Sequence, residues 1–106
     1  MIESYVKLNK IKSYIGFAKK SGNIKIGADN ILASSKNSVI IVVEDISDNT
    51  FNKLSNYSLR KNIKLIRIKN DYSSYLFDSD KIKAIAVSDK NLATAIIEGI
   101  KNLEES

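Results

Sequence analysis

The chain has 106 residues, 43% of them apolar, and its 17 basic and 12 acidic side chains leave a net charge of +5. That length is one domain, with apolar content for one core. His and Cys are absent, which removes the commonest general base near neutral pH, the commonest metal ligand and the thiolate nucleophile. An enzyme would have to run on carboxylates, Lys, Ser or Tyr; we expect no catalysis, no metal and no cofactor.

No stretch approaches the roughly 20 apolar residues that cross a bilayer, and Met1-Ile2-Glu3-Ser4 lacks the charged and apolar blocks of a secretory signal. With Cys absent, the expected location is the cytoplasm. A positive charge of this size attracts polyanions, of which nucleic acid is the commonest inside a cell. It is equally what a lysine-decorated soluble surface carries.

Ser4 to Ala18 read as an amphipathic helix, with Leu8, Ile11, Ile15 and Ala18 on one face. Gly16 sits inside that pattern at some cost in helix propensity, so a close approach by another segment is expected there. Ser21-Gly22-Asn23 ends the helix, and Ile24-Lys25-Ile26 is a short strand. A second, short helix opens near Gly27-Ala28-Asp29-Asn30 and turns Ile31 and Leu32 inward. Val39 to Val43 are five consecutive β-branched residues, the pattern of a strand buried on both faces.

After Glu44-Asp45 a third helix starts with Ser47 or Asp48 as its N-cap. Phe51, Leu54 and Ser58 form its stripe, with Leu59 beside it, and Asn62 suits a left-handed C-cap. Lys64 to Ile68 form a strand, Asp71 to Phe77 a short helix, and Ala84 to Val87 a short buried strand. Ser88 or Asp89 caps a last helix bearing Leu92, Ala95, Ile96 and Ile100, with fraying expected after Leu103. This alternation predicts a single α/β domain, a three-layer α/β/α sandwich with a mixed central sheet of about four strands.

Three blocks, in order, resemble one family. Ile15-Gly16-Phe17-Ala18-Lys19-Lys20-Ser21-Gly22 looks like its LGLAxRAGK opening. Ile40 to Thr50, with Glu44-Asp45-Ile46-Ser47-Asp48-Asn49-Thr50, resembles its VLxAEDASxNT element. Ala84 to Ala93 resembles its VVAVTDxGFA close. The family is the kink-turn-binding ribosomal protein superfamily, of the L-seven-Ae and L-thirty-e type, and the nearest look is to its bacterial YlxQ-type branch.

The resemblance implies a non-catalytic protein that grips a sharply bent RNA duplex. It implies that the helix after the first short strand presents its N-terminus to the RNA through a Gly-x-Asn-Glu-x-x-Lys pattern. The matching positions here are Gly27, Asp29, Asn30 and Ala33. Only the glycine is kept; many bacterial members have Glu at the position of Asp29. Asn30 offers both a donor and an acceptor to a base edge. Ala33 loses a cation, for which Lys36 is the nearest substitute. In the loop before the last strand, relatives touch extruded bases with small or apolar residues, where this chain has Lys81, Ile82 and Lys83. The family's glycines near Ser74 and Asp78 are absent.

Among the residues themselves, Lys19, Lys20, Lys25 and Gly27 suit a phosphate backbone: glycine admits close approach, helix amides accept an anion, and lysines release counterions. The plain alternative is a turn glycine among solvated lysines. Asp29 and Asn30 are either first-turn helix residues or readers of base edges. Glu44 and Asp45 lie at a strand's carboxyl end, where ligands collect in α/β sheets, or else orient the next helix. Tyr72, Tyr75 and Phe77 are taken as packing residues rather than base-stacking ones.

The expected function is binding of structured, kink-turn-like RNA, with ribosomal RNA as a candidate, by a cytoplasmic monomer with no membrane or DNA partner. The expected contacts are Lys19, Lys25, Gly27, Asp29, Asn30, Lys36, Lys81 and Lys83. The rival is a protein-interaction or scaffold module on the same fold that has lost kink-turn recognition.

Overall fold

The computed structural model describes residues 2–105, with side chains for residues 6–103. The chain folds as α1 (Ile2–Lys20), β1 (Ile24–Ile26), α2 (Ala28–Ala33), β2 (Val39–Val43), α3 (Asp48–Lys61), β3 (Lys64–Ile68), α4 (Asn70–Phe77), β4 (Ala84–Val87) and α5 (Lys90–Glu105). The expected order of elements holds throughout. The sheet runs β1-β4-β2-β3; β4 is antiparallel to β1 and β2, while β2 and β3 are parallel. It is the mixed four-stranded sheet of an α/β/α sandwich.

β2 is buried along its whole length. Its period-two alternation divides the core. Val39, Ile41 and Val43 join Ile11, Ile15, Phe77, Ile85 and Ile96 under α1, α4 and α5. Ile40 and Val42 join Ile31, Leu54, Tyr57, Ala84 and Ala86 under α2 and α3. The helical stripe of α1 behaves as its spacing requires, with Ile11, Ile15 and Ala18 buried.

The helix ends follow capping chemistry. Ser47 is the N-cap of α3; its Oγ accepts from the Thr50 amide at 3.3 Å. Asp89 caps α5 by accepting from the Leu92 amide at 2.9 Å. Asn62 closes α3 in the left-handed region at φ 56°, which Asn tolerates better than most residues. Asp78 closes α4 in the same way at φ 55°, filling with a carboxylate a position that glycine often holds. Its Oδ1 meets Lys12 Nζ at 2.8 Å. That hydrogen bond, reinforced by the lysine's charge, holds the Asp78 carboxyl below its ordinary range. Lys12 also lies 4.3 Å from the centre of the Tyr75 ring, and Tyr75 bonds Asn9. Phe77 is core, and Tyr72 and Tyr75 pack against it, in keeping with a packing role.

Two expectations are corrected. A Cβ built on Gly16 would meet nothing within 4 Å, whereas one on Gly99 would lie 2.8 Å from Ile11 Cγ1. The close approach therefore occurs where α5 crosses α1, at a glycine whose spacing gave no signal. Leu59 is 77% exposed; the buried stripe of α3 is Leu54, Tyr57 and Ser58. Leu59 lies about 100° further round the helix than Ser58, which carries it out of the core. The expected fraying after Leu103 falls on side chains outside the described residues; the α5 backbone continues to Glu105.

Opposite signs are expected for two glycine replacements. Gly16→Ala should raise stability by about 0.5–1 kcal/mol through helix propensity, and Gly99→Ala should lower it by about 1–3 kcal/mol through overpacking against Ile11; urea melts of both variants check this. A depressed carboxylate contributes stability above its unfolded pKa that is lost as pH falls through its folded pKa. Wild type should therefore exceed Asp78→Asn in melting temperature near neutral pH, and the gap should close as pH falls through the depressed pKa of Asp78.

Candidate nucleic-acid interface

β1, β2 and β3 run in one direction and β4 against them. The carboxyl ends of three strands and the start of β4 therefore share one end of the sheet, the end at which ligands gather in open α/β folds. Backbone bonds tie the segments there. The Gly27 amide donates to Ala84 O at 2.9 Å, the Val43 amide to Lys83 O at 2.9 Å and the Glu44 amide to Ile68 O at 2.9 Å.

An open cleft of about 410 Å³ lies between these segments. Its walls are Ile26 to Ala28 at the β1–α2 junction, Ile46 to Thr50 at the start of α3, and Lys81 to Ala84 before β4. Gly27 adopts φ 89° and ψ 149°, a region that glycine alone occupies without strain. The conformation turns the chain sharply from an edge strand into a helix and leaves backbone accessible, since no side chain covers it.

Asn30 folds back on this turn, donating from Nδ2 to Ile26 O at 2.8 Å. One amide hydrogen is thus occupied within the protein, and Oδ1 accepts from no group among the described residues. The side chain faces solvent chiefly as an acceptor, suited to a base amino group. Asp29 is exposed beside it in the first turn of α2. Lys25 is exposed in the middle of the edge strand. Lys81 is exposed on the far wall, and Lys83 is half-buried with its Nζ 3.0 Å from Asp45 Oδ2.

The expected contacts do not all converge. Gly27, Lys81 and Lys83 line the cleft, and Lys25, Asp29 and Asn30 adjoin it in the chain. Lys19 is in the last turn of α1, ahead of the start of β1, and so at the opposite end of the sheet. Lys36 lies between α2 and the start of β2, also at that opposite end. The short α2, of six residues, cannot carry Lys36 back to the cleft.

Glu44 and Asp45 part company. Glu44 Oε1 accepts from the Asn70 amide at 3.2 Å, capping α4, whose own N-cap residue Lys69 makes no side-chain cap. Asp45 pairs with Lys83 beside the cleft, where the Val43 amide also donates to Lys83 O. Each carboxylate has a structural partner, and it is α4, not the next helix in the chain, that Glu44 orients. Sequence reasoning passed over the apolar floor of Ile26, Ile46 and Ile82 and the Ser47–Thr50 pair, whose hydroxyls lie 2.8 Å apart. The signal was present in the Glu44 to Thr50 block, which carries the resemblance but no obvious phosphate-binding residue.

No family model and no curated protein sequence matches this chain. Solved structures do share its fold. A protein of unknown function from Bacillus halodurans superposes with a TM-score of 0.75 at 16% identity, over 87% of this chain and 97% of that one. The Giardia lamblia 15.5kD RNA binding protein superposes with a TM-score of 0.65 at 18% identity, over 97% of this chain and 89% of that one. At these identities the likeness is one of fold.

Gly27→Ala should lower stability by about 1–3 kcal/mol through backbone strain, although a Cβ there meets nothing within 4 Å. A thermal melt measures it. Equal stability of the two proteins would mean that the turn relaxes without glycine.

Proposed function

We propose that this chain is a non-catalytic binder of structured RNA that receives a bent, kink-turn-like duplex in the cleft between Gly27, Thr50 and Lys83, in a ribosomal or similar RNA. The observation that carries the reading is the cleft itself. It is open, it is built on a glycine turn with accessible backbone, and its rim offers a base-edge acceptor in Asn30 and cations in Lys25 and Lys81. Its apolar floor suits an unstacked base, and phosphate contacts need no more than the lysines. The fold shared with an RNA-binding protein supports the same reading.

In this scheme Lys25 and Lys81 take phosphates, Gly27 admits the sugar–phosphate backbone, and Asn30 meets a base amino group. Lys83 is partly neutralised by Asp45, so its role is to hold the loop before β4 in place. Lys19 and Lys36, at the other end of the sheet, leave the site.

A second reading, a protein-interaction module on the same fold, draws on two observations. Ala33 stands where the related pattern has a cation, and the Lys83–Asp45 pair lowers the positive charge of the cleft. RNA binding and protein docking differ in what they discriminate.

Fluorescence anisotropy with a kink-turn RNA and a straight duplex of equal length separates them. The kink-turn should bind at least about tenfold more tightly, and Asn30→Ala or Lys25→Glu should each weaken it by about 1–3 kcal/mol, tenfold or more. Full binding by both variants would remove the site assignment. Equal, weak binding of both RNAs would favour the second reading.

A further inference from the structure

Most of this protein's net positive charge lies away from the cleft. From Asn49 to Asn70 the chain carries Lys53, Arg60, Lys61, Lys64, Arg67 and Lys69 and no carboxylate. The other residues hold eleven cations against twelve carboxylates, so the entire net charge comes from α3, β3 and their flanks. At the cleft, by contrast, Asp45 neutralises Lys83, and Asp29 and Asp80 adjoin it in the chain.

These cations lack counter-charges. Among the described residues the ion pairs are Lys12–Asp78 and Lys83–Asp45; Lys53, Arg60, Lys61 and Lys64 form none and are all exposed. Arg67 alone is engaged, donating to Glu44 O at 3.1 Å with its guanidinium 4.4 Å from the centre of the Phe51 ring. A row of unneutralised charges repels itself and is relieved by a polyanion.

Two of these cations, Lys53 and Arg60, flank a groove. Leu32 of α2 and Lys53, Asn56, Leu59 and Arg60 of α3 line an open trough of about 770 Å³. Lys53 and Arg60 lie two helical turns apart, about 10 Å along α3. Asn56 lies between them with amide donor and acceptor, and Leu59, the most exposed large apolar side chain among the described residues, stands at its edge. Apolar surface flanked by cations and an amide suits an unstacked nucleotide base with phosphates on either side. A protein partner would need a broader apolar patch than one exposed leucine beside Leu32.

We propose that the groove between α2 and α3 binds a single-stranded RNA segment: phosphates lie on Lys53 and Arg60, and a base rests on Leu32 and Leu59. The proposal rests on the RNA-binding reading and extends it, since the strand leaving a structured element in the cleft would run down α3 toward Lys36 and Lys64. It gives the molecule two surfaces with different tasks, a shaped one and a charged one.

The test uses the full chain and two RNAs, a blunt kink-turn and the same kink-turn with an oligouridine tail, each titrated at several KCl concentrations. The tail should tighten binding about tenfold and steepen the salt dependence by about 1.4 in log–log slope, about 0.7 for each of two phosphates. Lys53→Ala/Arg60→Ala should abolish both gains while leaving the blunt RNA within about twofold, and Leu59→Ala should reduce the tail's gain without altering the slope. A tail without effect, or a gain that survives the double variant, overturns the proposal while blunt kink-turn binding leaves the cleft reading standing. Loss of the blunt RNA as well, in the double variant, overturns the division between the surfaces. Binding of polyglutamate but of neither RNA would assign the groove to an acidic protein and overturn both readings.

Discussion

The fold depends on the double burial of β2. Val39 to Val43 touch no solvent on either face, and removal of each such side chain from water contributes about 1.5–3 kcal/mol. A strand of this kind needs helices on both sides and ladder partners on both edges, and the chain supplies β4 on one edge and β3 on the other. Three-layer architecture follows from that requirement. So does the position of the cleft, because β2 ends at Val43 and the chain must leave the sheet there, beside the end of β1 and the start of β4.

Small side chains from the sheet support the layer of α2 and α3. Ala84 and Ala86 face it from β4, which lets a helix of six residues sit close to the sheet and bury Ile31 completely. So short a helix is marginal alone. It is anchored at its carboxyl end from α3: the Tyr57 hydroxyl donates to Ser34 O at 2.7 Å and accepts from Asn37 Nδ2 at 2.9 Å, while Asn37 Nδ2 also reaches Ile31 O at 3.3 Å. The Ile31 carbonyl of α2 and the Ser34 carbonyl that follows the helix are thereby paired. The tyrosine that fills the core thus also fixes the helix at whose other end Gly27 and Asn30 stand.

The architecture was legible in the sequence because it rests on local patterns. The β-branched run at Val39, the spacing of Ile11, Ile15 and Ala18, and the capping residues Ser47 and Asn62 each report their own surroundings. Gly16, Gly99, Leu59 and Tyr57 do not. Whether a helical glycine meets a neighbour depends on where helices cross, and α5 happens to meet α1 at Gly99. Leu59 and Tyr57 are separated by the phase of one helix, and a tyrosine's amphipathic side chain is compatible with either environment. The site was legible in part for the same reason. Gly27 declares a turn by itself, but the distance of Lys36 from that turn is set by the length of α2 and the return to β2, and the pairing of Lys83 with Asp45 joins residues far apart in the chain.

Charge and shape are distributed differently on this molecule, and on the proposed reading that separation has a consequence for recognition. A phosphate approaching Lys83 must compete with Asp45, so exchanging one partner for the other gains little Coulombic energy. Both groups are half-exposed, where an ion pair is worth little in any case. The cleft therefore has modest pull on a polyanion, and what it discriminates must come from fit: the sharp turn at Gly27, the floor of Ile26, Ile46 and Ile82, and the acceptor of Asn30. Phosphate contacts position a nucleic acid without reading it; at the cleft that work falls to Lys25 and Lys81, and the denser run of cations lies along α3 and β3. Affinity that varies steeply with salt and selectivity that does not would then be properties of two separate surfaces joined by one helix.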